Sequence, residues 1–158
     1  MKSKLLLLAF GLAIMPAVAV SESYKETFEC TFGRGIANKP TPTHLVFSID
    51  EFGRSVLLHD VVIPNVTSGK GSGRIKSDTP QKLSIAWVGS NYVFTDSGRS
   101  YASNESRIDA LDLRDQEFSV FLNRNTMKAM AKSSSNSAYL PRDGFARGRC
   151  ESIAAPTK

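Results

Sequence analysis

After the first twenty residues the chain has no long apolar run, which leaves nothing there to span a membrane as a helix. Histidine and cysteine are both scarce, at two each. His44 and His59 lie far from Cys30 and Cys150 in sequence, and no close spacing of His, Cys, Asp and Glu builds a metal site. No metal and no cofactor is therefore expected. Lysine and arginine are scattered rather than massed in a stripe, which argues against a nucleic-acid partner. The densest local groups are Lys70/Arg74/Lys76 and Arg142/Arg147/Arg149. Each has the charge to touch an anionic partner, and each reads first as a solvated face.

Catalytic motifs are equally thin. Gly69-Lys70-Gly71-Ser72-Gly73 resembles a phosphate loop, but the required upstream glycine position holds Pro64, so the segment reads as a loop between strands. There is no Gly-x-Ser-x-Gly elbow. His59 and Asp60 are adjacent, and on a regular strand they would point to opposite faces, which does not suit a Ser-His-Asp arrangement. The carboxylate pair Asp50/Glu51 falls in a turn, and Asp109/Asp112 lies between Arg107 and Arg114, which favour ionisation. Neither pair is suited to acid–base work, and no catalytic residue is assigned.

What is present begins with the leader. Lys2 and Lys4 precede the apolar run Leu5 to Ile14, Pro16 breaks it, and Ala17-Val18-Ala19 presents small residues at an exit site. This order defines a secretory signal over residues 1–19, cleaved after Ala19 to leave Val20 as the new N-terminus. Residues 20–158 then form a single domain. The formal net charge of +5 loses the two leader lysines, leaving about +3, a mild excess suited to solubility. The expected location is periplasmic or secreted, without stable membrane insertion after cleavage. Asn65-Val66-Thr67 and Asn104-Glu105-Ser106 are sequons that matter only in a eukaryotic pathway.

Two cysteines in an exported chain read as one disulfide, Cys30 to Cys150, tying the two ends of the domain together. Between them the pattern is that of strands. Residues 24–32 alternate with Phe28, Cys30 and Phe32 on one face, and residues 43–49 alternate with Leu45, Phe47 and Ile49. Further strands are expected at 55–63, 74–76 and 82–88, the last followed by a hairpin return over 92–95. A second hairpin is expected from 107–113 and 117–123. Residues 126–132 read as strand or helix, with strand preferred, residues 133–137 as a polar loop, and 144–150 as the closing strand. Trp87, Tyr92 and Phe94 read as a cross-strand core cluster with a ligand mouth as the alternative. The expected fold is all-β: one antiparallel barrel of about eight strands, with a β-sandwich as the alternative.

The leader, Phe28-Glu29-Cys30-Thr31-Phe32, Phe47-Ser48-Ile49-Asp50, the single mid-chain Trp and Gly148-Arg149-Cys150 together resemble a group of small exported bacterial proteins, an uncharacterised family. The resemblance implies a disulfide-closed β-barrel and no activity. Ser97-Gly98-Arg99-Ser100-Tyr101 is similar to the Ser-Gly-x-x-Tyr loop of periplasmic inhibitors of C-type lysozyme, although the Trp and Lys-Gly pair of that family do not follow it. That likeness implies partner binding through Ser97, Gly98, Arg99 and Tyr101. The expectation from sequence is a non-enzymatic barrel that binds a small ligand or an envelope protein. An inhibitor of a lysozyme-like hydrolase, or a hydrolase with an unrecognised site, are the alternatives.

Overall fold

The computed structural model describes residues 24–36, 39–90, 92–94, 111–113, 115–135 and 143–156. The expected leader lies outside the described residues. Among the described residues, eleven strands run in chain order: β1 (Tyr24–Phe32), β2 (His44–Asp50), β3 (Ser55–Val62), β4 (Val66–Thr67), β5 (Gly71–Asp78), β6 (Lys82–Val88), β7 (Val93–Phe94), β8 (Leu111–Asp112), β9 (Gln116–Asn123), β10 (Lys128–Ser135) and β11 (Gly144–Ser152). Eight of them close a barrel in the order β1-β11-β10-β9-β6-β5-β3-β2, every pair antiparallel. Strands β4, β7 and β8 form a small separate sheet. The all-β barrel is thus the observed fold. No helix among the described residues is long and apolar enough to cross a membrane.

Period-2 alternation sets the inward face. Phe28, Cys30 and Phe32 point inward from β1, and Leu45, Phe47 and Ile49, all fully buried, from β2. Leu83, Ile85 and Trp87 on β6 meet Phe118, Val120 and Leu122 on β9. Strands β10 and β11 contribute small inward residues, among them Ala129, Ala131, Ala146 and Gly148, so the aromatic rings of the neighbouring β1 and β9 have room. The interior is therefore filled by side chains, as barrels of this size allow. Cys30 and Cys150 are direct partners across the β1–β11 ladder and form the disulfide. The bridge crosses the seam that closes the barrel, between strands that are first and last in the chain. Such a bond forms and persists in an oxidising compartment rather than in a reducing cytosol.

The two barrel ends are closed differently. At one end Pro40, Thr41 and Pro42 are buried over β10 and β11, so close that a Cβ at Gly144 would lie 2.6 Å from Thr41 Cγ2. At the same end the Trp87 indole stacks on Phe118 at 5.6 Å and donates to the Tyr92 hydroxyl at 3.1 Å. At the other end Arg124, in the β9–β10 turn, is held by Glu26 of β1 at 2.5 Å and by Asp78 of β5. Asn123 shapes that turn, its Oδ1 accepting from the amides of Asn125 and Thr126.

Several expected elements differ. The described part of the expected return, 92–94, does not pair with β6, because both edges of β6 are taken by β5 and β9. Tyr92 instead turns back at Gly89, its amide bonding the Gly89 carbonyl at 2.9 Å, and its ring packs on Phe118. The described part of the expected 107–113 strand, β8, pairs with β7 rather than with β9. The glycine-rich segment is strand from Gly71 onward, paired through Gly71–Leu58 and Gly73–Val56, rather than loop. Residues 133–135 belong to β10, and the ambiguous 126–132 stretch is strand from Lys128. Met127, with φ of 55°, makes the corner before it.

Candidate functional site

The outer face of β6, β9, β10 and β11 carries the most distinctive chemistry. Ladder register places outward residues of these strands in rows. Phe121 lies opposite Ser84 on one side and Met130 on the other, and Met130 lies opposite Arg147. One row nearer the β9–β10 turn, Lys82 lies opposite Asn123 and Lys128 opposite Arg149. All of these but Ser84 line an open trough of about 630 Å³. Its floor is apolar: Phe121 is 38% exposed, in contrast to the buried Phe28, Phe32, Phe47 and Phe118. Its rim is cationic, formed by Lys82, Lys128, Arg147 and Arg149, all exposed. No carboxylate lines it. The Arg147 guanidinium lies 5.7 Å from the centre of the Phe145 ring, which holds it over the surface.

These four cations have no ion-pair partner among the described residues, whereas two of the three cations in the other candidate basic cluster are paired. Arg74 and Lys76 both bond Glu117, at 2.5 and 3.1 Å. Burial raises the Glu117 carboxyl, but Lys76 and Arg74 outweigh it and hold the group below its ordinary value. Arg147 and Arg149 were visible in the sequence as an alternating pair, and Arg142, grouped with them, lies outside the described residues. Lys82 and Lys128 were not visible as members, because they are distant in the chain and arrive only through pairing of four strands.

A second polar constellation occupies the outer face of β1, β2 and β3. Strand β3 carries one extra residue, His59, between Leu58 and Asp60, which face Phe47 and Val46. The bulge breaks the expected strict alternation and lets His59 reach Ser48 Oγ at 2.6 Å, itself 2.8 Å from Thr27 Oγ1. Tyr24 packs edge-on against the imidazole. The pair has the atoms of a nucleophile and base, yet Ser48 is fully buried and Asp60 turns to His44 instead. His44 sits between Asp60 at 3.0 Å and Glu29 at 2.8 Å. The Glu29 bond raises its pKa most, burial opposes, and Asp60 adds to the rise. Among the described residues no group of three or more His, Cys, Asp or Glu is arranged to hold a metal.

The remaining sequence candidates fall as follows. Cys30 and Cys150 are joined. Asp50 ends β2, and its Oδ1 accepts from the amides of Ser55 and Arg54 across the turn that follows. Trp87 and Tyr92 are core. Ser97, Gly98, Arg99 and Tyr101 lie outside the described residues, as does Asp109. No protein-family model, curated protein or solved structure matches this chain.

Proposed function

We propose that this protein is a non-enzymatic binding protein, periplasmic or secreted, whose rigid barrel presents the β6–β9–β10–β11 outer face to an anionic ligand or envelope partner. The observation that carries the reading is the ring of four cations, unpaired among the described residues and supplied by β6, β10 and β11, around an exposed apolar floor. Uncompensated charge around partly exposed aromatic surface is how binding faces differ from solvated ones. Supporting the compartment are the leader pattern of residues 1–19 and the Cys30–Cys150 bridge. Supporting a binding role over catalysis is the burial of Ser48 beside His59.

The test is retention on a dextran sulfate matrix, eluted with a salt gradient. The double variant Arg147→Glu/Arg149→Glu is expected to elute at clearly lower salt than Arg54→Glu/Lys70→Glu, which makes the same change in net charge elsewhere on the surface. Identical elution of the two would mean that net charge alone governs retention, and the reading would fail.

A further inference from the structure

We infer that the trough takes a single amphiphile bearing an anionic head and a hydrocarbon tail, a deepening that rests on the anionic-partner reading above. Each part of the molecule has its counterpart. Lys82, Lys128 and Arg149 share the row nearest the β9–β10 turn and form one cationic end. Phe121 and Met130, one row on and about 7 Å away by strand geometry, form the apolar bed. Arg147 flanks that bed, stacked on Phe145. A head on the first row thus lays its tail along the second.

The size argues for one molecule rather than a polymer. About 630 Å³ falls inside the range of roughly 300–1,000 Å³ typical of small-ligand sites. A sulfated or phosphorylated polymer would use the cations and leave Phe121 and Met130 wet. A methionine facing a phenylalanine across the ladder suits a tail of variable shape, since the thioether chain adapts its packing. No lining carboxylate opposes the head.

The probe is cis-parinaric acid, an anionic polyene whose emission rises in an apolar site, compared with its uncharged methyl ester in physiological salt. The acid is expected to saturate at one equivalent. The ester is expected to bind at least about tenfold more weakly, the worth of a charge-assisted contact. Arg149→Gln and Lys128→Gln weaken the acid without affecting the ester. Phe121→Ser weakens both probes. Met130→Gln serves as the second floor variant, and Trp87 emission verifies that each variant is folded.

Equal binding of acid and ester, or no binding of either with face-dependent dextran sulfate retention intact, overturns the amphiphile and leaves the anionic-partner reading standing. Pelleting with phosphatidylglycerol vesicles without uptake of the monomeric acid also overturns it, in favour of a membrane-docking face. Loss of face-dependent retention together with loss of probe binding removes both.

Discussion

Phe32 stands directly opposite Gly148 across the β1–β11 ladder, and its ring occupies the space a side chain at 148 would need. A Cβ there would lie 2.7 Å from Phe32 Cδ1 and 2.2 Å from the Thr31 carbonyl oxygen. The backbone oxygen cannot rotate away as a side chain can. Gly148→Ala is therefore expected to cost about 1–3 kcal/mol, the usual penalty for overpacking. Urea unfolding followed by far-UV circular dichroism measures it, and an unchanged midpoint would disprove the close approach.

The bridge between Cys30 and Cys150 closes a chain segment with a sequence separation of 120. Removing it by Cys30→Ser/Cys150→Ser is expected to lower stability by about 2–5 kcal/mol while the barrel's circular dichroism signature persists in native buffer. The same loss should follow reduction of the wild-type protein. A midpoint insensitive to reductant would show that the seam is held by packing alone.

Tyr92 accepts the Trp87 indole N–H inside the barrel end, and burial raises its hydroxyl pKa against the opposing pull of that bond. Tyr92→Phe leaves the indole donor buried without its partner, at a cost of about 1–3 kcal/mol. Phe118→Ala removes the ring on which both residues pack and is expected to cost about 3–5 kcal/mol. Trp87 is the only tryptophan in the chain, so its emission maximum reports both changes directly. Unfolding curves indistinguishable from wild type would place the indole outside the core.

His44 links β1, β2 and β3 through Glu29 and Asp60, and its folded pKa lies above the ordinary value of 6.5. A raised folded pKa means that the folded state binds the proton more tightly than the unfolded one. The stabilisation is thus complete below pH 6.5 and disappears as pH rises through the higher folded value. Exposed pairs of this kind are worth roughly 0.2–1 kcal/mol. The stability gap between wild type and His44→Gln should be present at acidic pH and close on the alkaline side. A gap that widens with pH would reverse the assignment.

Arg124 clamps β1 to β5 through Glu26 and Asp78. Burial raises the Asp78 carboxyl, but Arg124 and Lys25 prevail and hold it below its ordinary value. Its contribution is present above the unfolded pKa, near 3.9, and is lost as pH falls through the lower folded value. Arg124→Gln is expected to cost about 1–3 kcal/mol near neutrality, between the exposed and buried limits for ion pairs. It should also flatten the acid limb of the stability profile. An acid limb identical to wild type would show that Asp78 is held by other groups.

Strands whose side chains alternate strictly were legible from sequence, because period 2 is written locally. The inward sets Phe28/Cys30/Phe32, Leu45/Phe47/Ile49 and Leu83/Ile85/Trp87 are those observed. Gly71 to Gly73 hid the first half of β5, since residues with no side chain leave no pattern to read. Partner choice was also hidden: Tyr92 follows a turn that resembles a hairpin, yet the β6 edge already belongs to β9. The bulge at His59 could not be anticipated either, because an extra residue is defined only against the opposite strand. The basic trough depends on three such pairings, β6–β9, β9–β10 and β10–β11, which is why only its Arg147 and Arg149 members stood out.

Among the described strands, the one that completes the barrel, β11, is made last, and its neighbour β1 is made first. Until β11 arrives, β1 and β10 both carry open edges, so the barrel cannot close before residues 144–152 are made. A product cut short before Gly144 has neither the closing strand nor the second thiol, and it is left as an unclosed sheet with two unpaired edges.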